Sequence, residues 1–200
     1  MSAGAVVQER MSLDAFQEWY AAQPGKTKYE YVDGFVYPKY GRFESGKWHD
    51  MGLDNVTHNR AKGRAAIALI EAKKAAGMDH CFVSLDGVQV RVSEKQTRIP
   101  DAFLDCGDIK GDDYFAKAPV VIIEVVSRTS VHRDVFTKYW EYFDLDSVYH
   151  YLVIFPRDRK IVHHSRQGDG IASRILTTGE IKLAPPGITL SADFLLDENA

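Results

Sequence analysis

Two hydrophobic periods divide this chain. Apolar residues three and four apart mark helices, and alternating or continuous β-branched runs mark strands. Leu13, Phe16 and Tyr20 share a helical face; with Ser12 as cap and Pro24-Gly25 as stop, residues 12–20 read as a short helix. Lys28 to Tyr37 reads as two strands about an Asp33-Gly34 turn. Residues 41–54 have no period and read as a loop or irregular hairpin extension. From Asn55, a cap, to Gly77, a stop, the pattern is helical again, supported by alanine in its second half. Cys81–Leu85, Val88–Val92 and Ile99–Leu104 read as strands, the first two joined by an Asp86-Gly87 turn. Pro100 has no N–H, so it belongs at a strand start or edge.

The most apolar stretch is Ala118 to Ser127, a Val/Ile run with the length and composition of a strand buried on both faces. Val131, Val135, Tyr139 and Tyr142 then mark a helix capped by Ser130. Val148–Phe155 is a second buried strand, ended by Pro156. Lys160–Ser165 and Ile171–Thr177 read as a hairpin, Ile181–Leu183 as a further edge, and Leu195–Ala200 as a polar tail. This order is neither regular βα alternation nor all-β, so it predicts an α+β fold with a mixed β-sheet flanked by helices and additional β-hairpins. The two buried strands and the helix joining them suit a right-handed βαβ unit. One domain over residues 1–200 is expected, with its core at about 29–156 and a C-terminal hairpin at 158–184.

Composition narrows the function classes. Net charge is −3, from 25 basic and 28 acidic residues, so a polyanion partner would need a local patch. No apolar run approaches the roughly 20 residues of a membrane span, and Met1–Arg10 lacks a basic stretch followed by an apolar one, so neither a membrane partner nor a signal peptide is expected. Cys81 and Cys106 make no disulfide framework and no CxxC pair, and are expected as reduced core thiols of a cytoplasmic protein.

Candidate chemistry begins with Glu124, a single carboxylate inside the Val/Ile strand. Taking an ionised carboxylate out of water costs several kcal/mol unless a cation or donors compensate it. It is therefore paired with a base or placed on a metal ion. Asp101, after Pro100 at the head of a strand, is a second acid that an adjacent strand could bring to the same point. Hard dications such as Mg²⁺ take oxygen ligands, keeping waters beside one or two carboxylates. Lys138, on the helix after Glu124, is a candidate for steadying negative charge on phosphate, or else an ion-pair partner of Asp134 four residues earlier. His163 and His164 lie on the hairpin and are expected at the surface.

The succession Tyr29-Glu30-Tyr31-Val32-Asp33-Gly34, His58 heading a helix, Pro100-Asp101, and Glu124-Val125-Val126-Ser127 followed by Thr129, Asp134, Lys138 and Tyr142 resembles the Uma family of putative restriction endonucleases, in the PD-(D/E)xK nuclease superfamily. The resemblance runs from about Tyr29 to Val153. It implies a restriction-endonuclease-like fold, metal ligands at Asp101 and Glu124, a lysine at Lys138, and further catalytic positions at Glu30 and His58. In the superfamily the lysine usually stands two residues after the second acid, where this chain has Val126; the Uma pattern moves it to the following helix. This chain departs at Arg128, where the family has proline, at Asp146, where it has glycine, and at Ile154-Phe155, where it has aspartate-proline.

The expected activity is Mg²⁺-dependent endonucleolytic hydrolysis of DNA, with Mn²⁺ a possible substitute. The alternative is a catalytically silent module that keeps the fold for binding or assembly. Edge strands of a C-terminal hairpin commonly pair across two-fold axes, so a homodimer is expected.

Overall fold

The structure, a computed structural model, describes residues 9–24, 27–39, 41–44, 47–50, 55–126 and 132–197; of 41–44, 47–50 and 132–136 it describes the backbone alone. The Ser130 cap and the Asp134 side chain therefore lie outside the described residues. The chain divides into two compact units: Met1–Asp54 with Gln89–Ile99, and Asn55–Val88 with Pro100–Ala200.

The first unit holds helix α1 (Leu13–Ala21), strands β1 (Tyr29–Val32) and β2 (Phe35–Pro38), and a hairpin of β3 (Gly41–Glu44) and β4 (Lys47–Asp50) where a loop or hairpin extension was expected. Ser12 caps α1, its hydroxyl accepting from the Ala15 N–H at 3.1 Å. Asp33 and Gly34 both take positive φ, 54° and 88°, which a two-residue turn needs to match strand twist. With β6 (Val90–Ser93) and β7 (Gln96–Arg98) these strands form a four-stranded sheet in the order β2-β1-β7-β6. Phe16 of α1 stacks on Tyr31 at 5.3 Å, in a core with Leu13 and Val36.

The second unit is built on a six-stranded sheet. It contains α2 (Val56–Ala75), β5 (Phe82–Leu85), β8 (Ala102–Asp105), β9 (Pro119–Val125), α3 (His132–Phe143), β10 (His150–Phe155), β11 (Lys160–Gln167) and β12 (Gly170–Leu176). The order is β12-β11-β10-β9-β8-β5. Only β9 and β10 run parallel, joined through α3; the other neighbours are antiparallel. The fold is thus α+β with a mixed sheet, as the pattern of elements predicts. Every residue of β9 is buried. Asn55 caps α2, accepting from the His58 N–H at 2.9 Å. Ala61, Ala65 and Leu69 of α2 pack on Ala102 and Leu104 of β8 and Val121, Ile123 and Val125 of β9 in one apolar cluster.

Three expectations are corrected. The C-terminal segment is not an edge and a polar tail: β13 (Glu180–Leu183) pairs with β14 (Ile188–Ser191), and α4 (Ala192–Leu195) follows. Leu195 and Leu196 are buried in the α2 cluster, and the buried Arg64 donates to the Leu195 carbonyl. The Leu195-Leu196 pair was the overlooked apolar signal. Secondly, Cys81 and Cys106 are joined in a disulfide rather than lying as reduced thiols. Register explains it: Phe82 pairs with Asp105, so the two cysteines are the next cross-strand pair, with Cα atoms 4.2 Å apart. Thirdly, His163 is buried, not at the surface, and His164 is half-buried. His163 faces inward on β11, where its Nε2 meets His150 Nδ1 at 3.0 Å.

Candidate active site

The site lies where β8 begins and β9 ends. Ala102 pairs with Ile123, so the next antiparallel positions are Asp101 and Glu124. Directly opposed residues share a sheet face, with Cβ atoms about 4.5–5.5 Å apart. The neighbours of Glu124, Ile123 and Val125, face the α2 cluster, so Glu124 points to the opposite face, where α3 reaches it. The strand pairing thus brings the two acids to the same end of the β8–β9 ladder.

Each acid is held by specific donors. Glu124 is 6% exposed, and its Oε1 accepts from the Tyr142 hydroxyl at 2.7 Å and from Lys138 Nζ at 3.2 Å. Lys138 and Tyr142 are four apart on α3 and so share a face. Asp101 is 3% exposed, and its Oδ2 accepts from the Val125 N–H at 2.8 Å. His58, in the first turn of α2, places Nε2 at 2.7 Å from the Val125 carbonyl and 3.8 Å from Asp101 Oδ2. A carbonyl only accepts, so this nitrogen carries a hydrogen. The structure therefore gathers Asp101, Glu124, Lys138 and His58. Glu30 belongs to the first unit, where it accepts from Arg98 Nη1 at 2.8 Å and from the Ile99 N–H at 3.1 Å. Those contacts tie β1 to the end of β7.

Sequence reasoning gave no role to three other groups. The Tyr142 hydroxyl donates to Glu124 at 2.7 Å, and its spacing of four from Lys138 was the available signal. The Val125 peptide uses both its N–H and its carbonyl, which no side-chain pattern could reveal. Lys62, four residues after His58, is 4% exposed and pairs with Asp86 at 2.6 Å.

The donor set fits a hard dication: two buried carboxylates in facing positions are the number of protein ligands that Mg²⁺ usually takes. Among the described residues, the trio of potential metal-ligand atoms lying within 4.8 Å of one another is instead His80, Cys81 and Cys106. Its two sulfurs are bonded to each other, so it offers no thiolates.

A mixed sheet with paired acids at adjacent strand ends, backed by a lysine from the following helix, defines a restriction-endonuclease-like protein. The chain belongs to the Uma2 family, described as "Putative restriction endonuclease", whose model matches residues 13–194. Its structure is similar to a crystal structure from Anabaena variabilis described as a "putative nuclease belonging to DUF820", with a TM-score of 0.65 over 95% of this chain and 99% of that one. At 14% identity that likeness bears on the fold. No curated protein matches the chain. Among the described residues, no helix is long and apolar enough to cross a membrane.

Proposed function

We propose that this protein is a Mg²⁺-dependent endonuclease that hydrolyses phosphodiester bonds in DNA. The observation that carries the reading is that Asp101 and Glu124 lie buried one position beyond the last β8–β9 pair, with Lys138 on Glu124. In this reading Asp101 and Glu124 hold the cation. A bound dication lowers the pKa of a water and offsets charge on phosphate oxygens. Lys138 offsets the Glu124 charge, and its ammonium would be available to a phosphate at the site, where a preorganised cation stabilises developing charge. His58 fixes the Val125 peptide and so the end of β9. Glu30 works inside its own unit, as a partner of Arg98. A homodimer forms along the β12 edge.

A supercoiled-plasmid nicking assay with Mg²⁺ or Mn²⁺ tests the reading. Cutting by the wild type, lost in Asp101→Asn and Glu124→Gln while the circular dichroism spectrum is kept, supports it. No cleavage of single- or double-stranded DNA with either cation would refute it. One observation favours a second reading, a catalytically silent binding module: without any metal, Glu124 already has a cation and a hydroxyl as partners. That module would show no Mn²⁺ affinity by calorimetry.

A further inference from the structure

Lys62 is a lysine buried on the same face of α2 as His58, and the chemistry proposed above does not use it. A buried ammonium is costly, and a buried ion pair is often no more stable than an apolar pair of the same volume. Its location is informative. Its partner Asp86 directly follows β5, which ends with Leu85 paired to Ala102. Asp86 has φ of +48°, a left-handed conformation that Asp tolerates better than most residues. There its backbone N–H donates to the carbonyl of Asp101 at 3.1 Å.

We propose that Lys62 is a positioning residue for Asp101, acting through Asp86. The inference rests on the metal-binding reading of Asp101. Asp101 is gripped on two sides. On the β9 side, its carboxylate accepts from the Val125 N–H. On the β5 side, its carbonyl accepts from Asp86, which the Lys62 ammonium holds in the left-handed turn. Helix α2 thus reaches both strand ends with residues one turn apart: His58 grips the Val125 carbonyl and Lys62 grips Asp86. Outer partners that orient a metal-ligating carboxylate typically control metal affinity by 10- to 100-fold.

The test compares the full-length wild type with Lys62→Met/Asp86→Asn, which removes both charges of the pair, and with Lys62→Arg. Two quantities are read: the Mn²⁺ dissociation constant by electron paramagnetic resonance, and hydrogen exchange of the Val125 amide in metal-free protein. In the double variant, Mn²⁺ binding is expected to weaken by about 10- to 100-fold. Val125 exchange is expected to quicken about tenfold while the Val121 and Leu152 amides stay protected. Lys62→Arg restores both. Wild-type values of both in a folded double variant would overturn the proposal and leave the pair a packing feature. Should the double variant not fold, Lys62→Gln, which keeps a donor toward Asp86 and leaves the remaining charge of the pair on its less buried partner, gives the same two readings. If the wild type itself binds no Mn²⁺, the metal reading fails, and Val125 exchange still decides whether Lys62 positions Asp101.

Discussion

Replacing Lys138 by methionine removes the cation beside Glu124 and keeps its volume. Both side chains are about one-tenth exposed and their charges lie 3.2 Å apart, so solvent screens them little. At that separation and an effective dielectric near 20, the attraction is about 5 kcal/mol. Desolvating the two ions costs several kcal/mol each, so the pair as a whole contributes little net stability. Removing one partner has a different cost, because the other charge stays buried. Lys138→Met should therefore destabilise the metal-free protein by about 3–5 kcal/mol at neutral pH. Glu124→Gln should cost less, about 1–3 kcal/mol: the amide oxygen still accepts from Tyr142, and the lysine stem can carry its ammonium toward water. With both changes together neither charge of the pair remains, and stability should recover to within about 1 kcal/mol of the wild type. Urea unfolding followed by circular dichroism, in EDTA, measures all four proteins. A refuting result would be single costs that add within about 0.5 kcal/mol in the double variant, since independent sites behave that way.

Three other outcomes are expected. Arg174 Nε donates to His163 Nδ1 at 3.2 Å, so the neutral His163 ring carries its hydrogen on Nε2 and donates to His150. Burial pulls His150 down to about 4 and His163 down to about 3, the latter helped by the His150 and Arg174 charges. The unfolded chain takes up protons below about 6.5 that the folded chain refuses, so stability falls with falling pH, by at most about 4 kcal/mol for the pair between pH 7 and 5. Urea midpoints across that range should fall, and His163→Gln should flatten the slope; an unchanged slope would remove the histidines as its cause. Tyr142→Phe leaves one donor fewer on Glu124 and should cost about 1.5–3 kcal/mol by the same unfolding assay, while Tyr139→Phe serves as the control. Glu30→Gln removes the charge facing Arg98, and should cost about 3–5 kcal/mol by the same unfolding assay, with no loss expected if the pair is idle.

The parts of this architecture legible in the sequence are those written in periodicity. The β9 run, the α2 and α3 stripes and the Asp33-Gly34 turn each carry a local rule, and each forms where the rule places it. Pairing was not legible in this way. The disulfide depends on Cys81 and Cys106 becoming cross-strand neighbours, which follows only once β5 and β8 are in register. The burial of His163 follows from which side of β11 faces inward, and the polar run His163-His164-Ser165-Arg166 does not say. The β14 strand and α4 were not read from the sequence; they follow Pro185, Pro186 and Gly187, strong local breakers that here link two paired strands. Glu124 was legible as an anomaly, a charge among valines and isoleucines. Its donors were legible only as spacings of four on a helix.

The candidate site also depends on a register that the fold enforces from its far end. A one-residue slip of β9 against β8 would turn Glu124 into the apolar cluster beneath α2 and put Ile123 or Val125 in its place. The β8–β9 ladder carries an irregularity between Leu104 and Asp105, away from the acids. There the fully buried Asp105 carboxylate accepts from the N–H groups of Gly107, Lys117 and Ala118, fixing how the chain enters β9. The irregular step is thus confined to one end, and residues 102–104 stay paired with 121–123 at the other. Beyond that regular stretch, α2 holds the two strand ends through His58 and Lys62, and α3 holds Glu124 through Lys138 and Tyr142. Ion pairs are an expensive way to hold strand ends that apolar side chains could hold as well. Their concentration around Asp101 and Glu124 is intelligible if what must be kept is the position of two carboxylates, with stability a secondary matter.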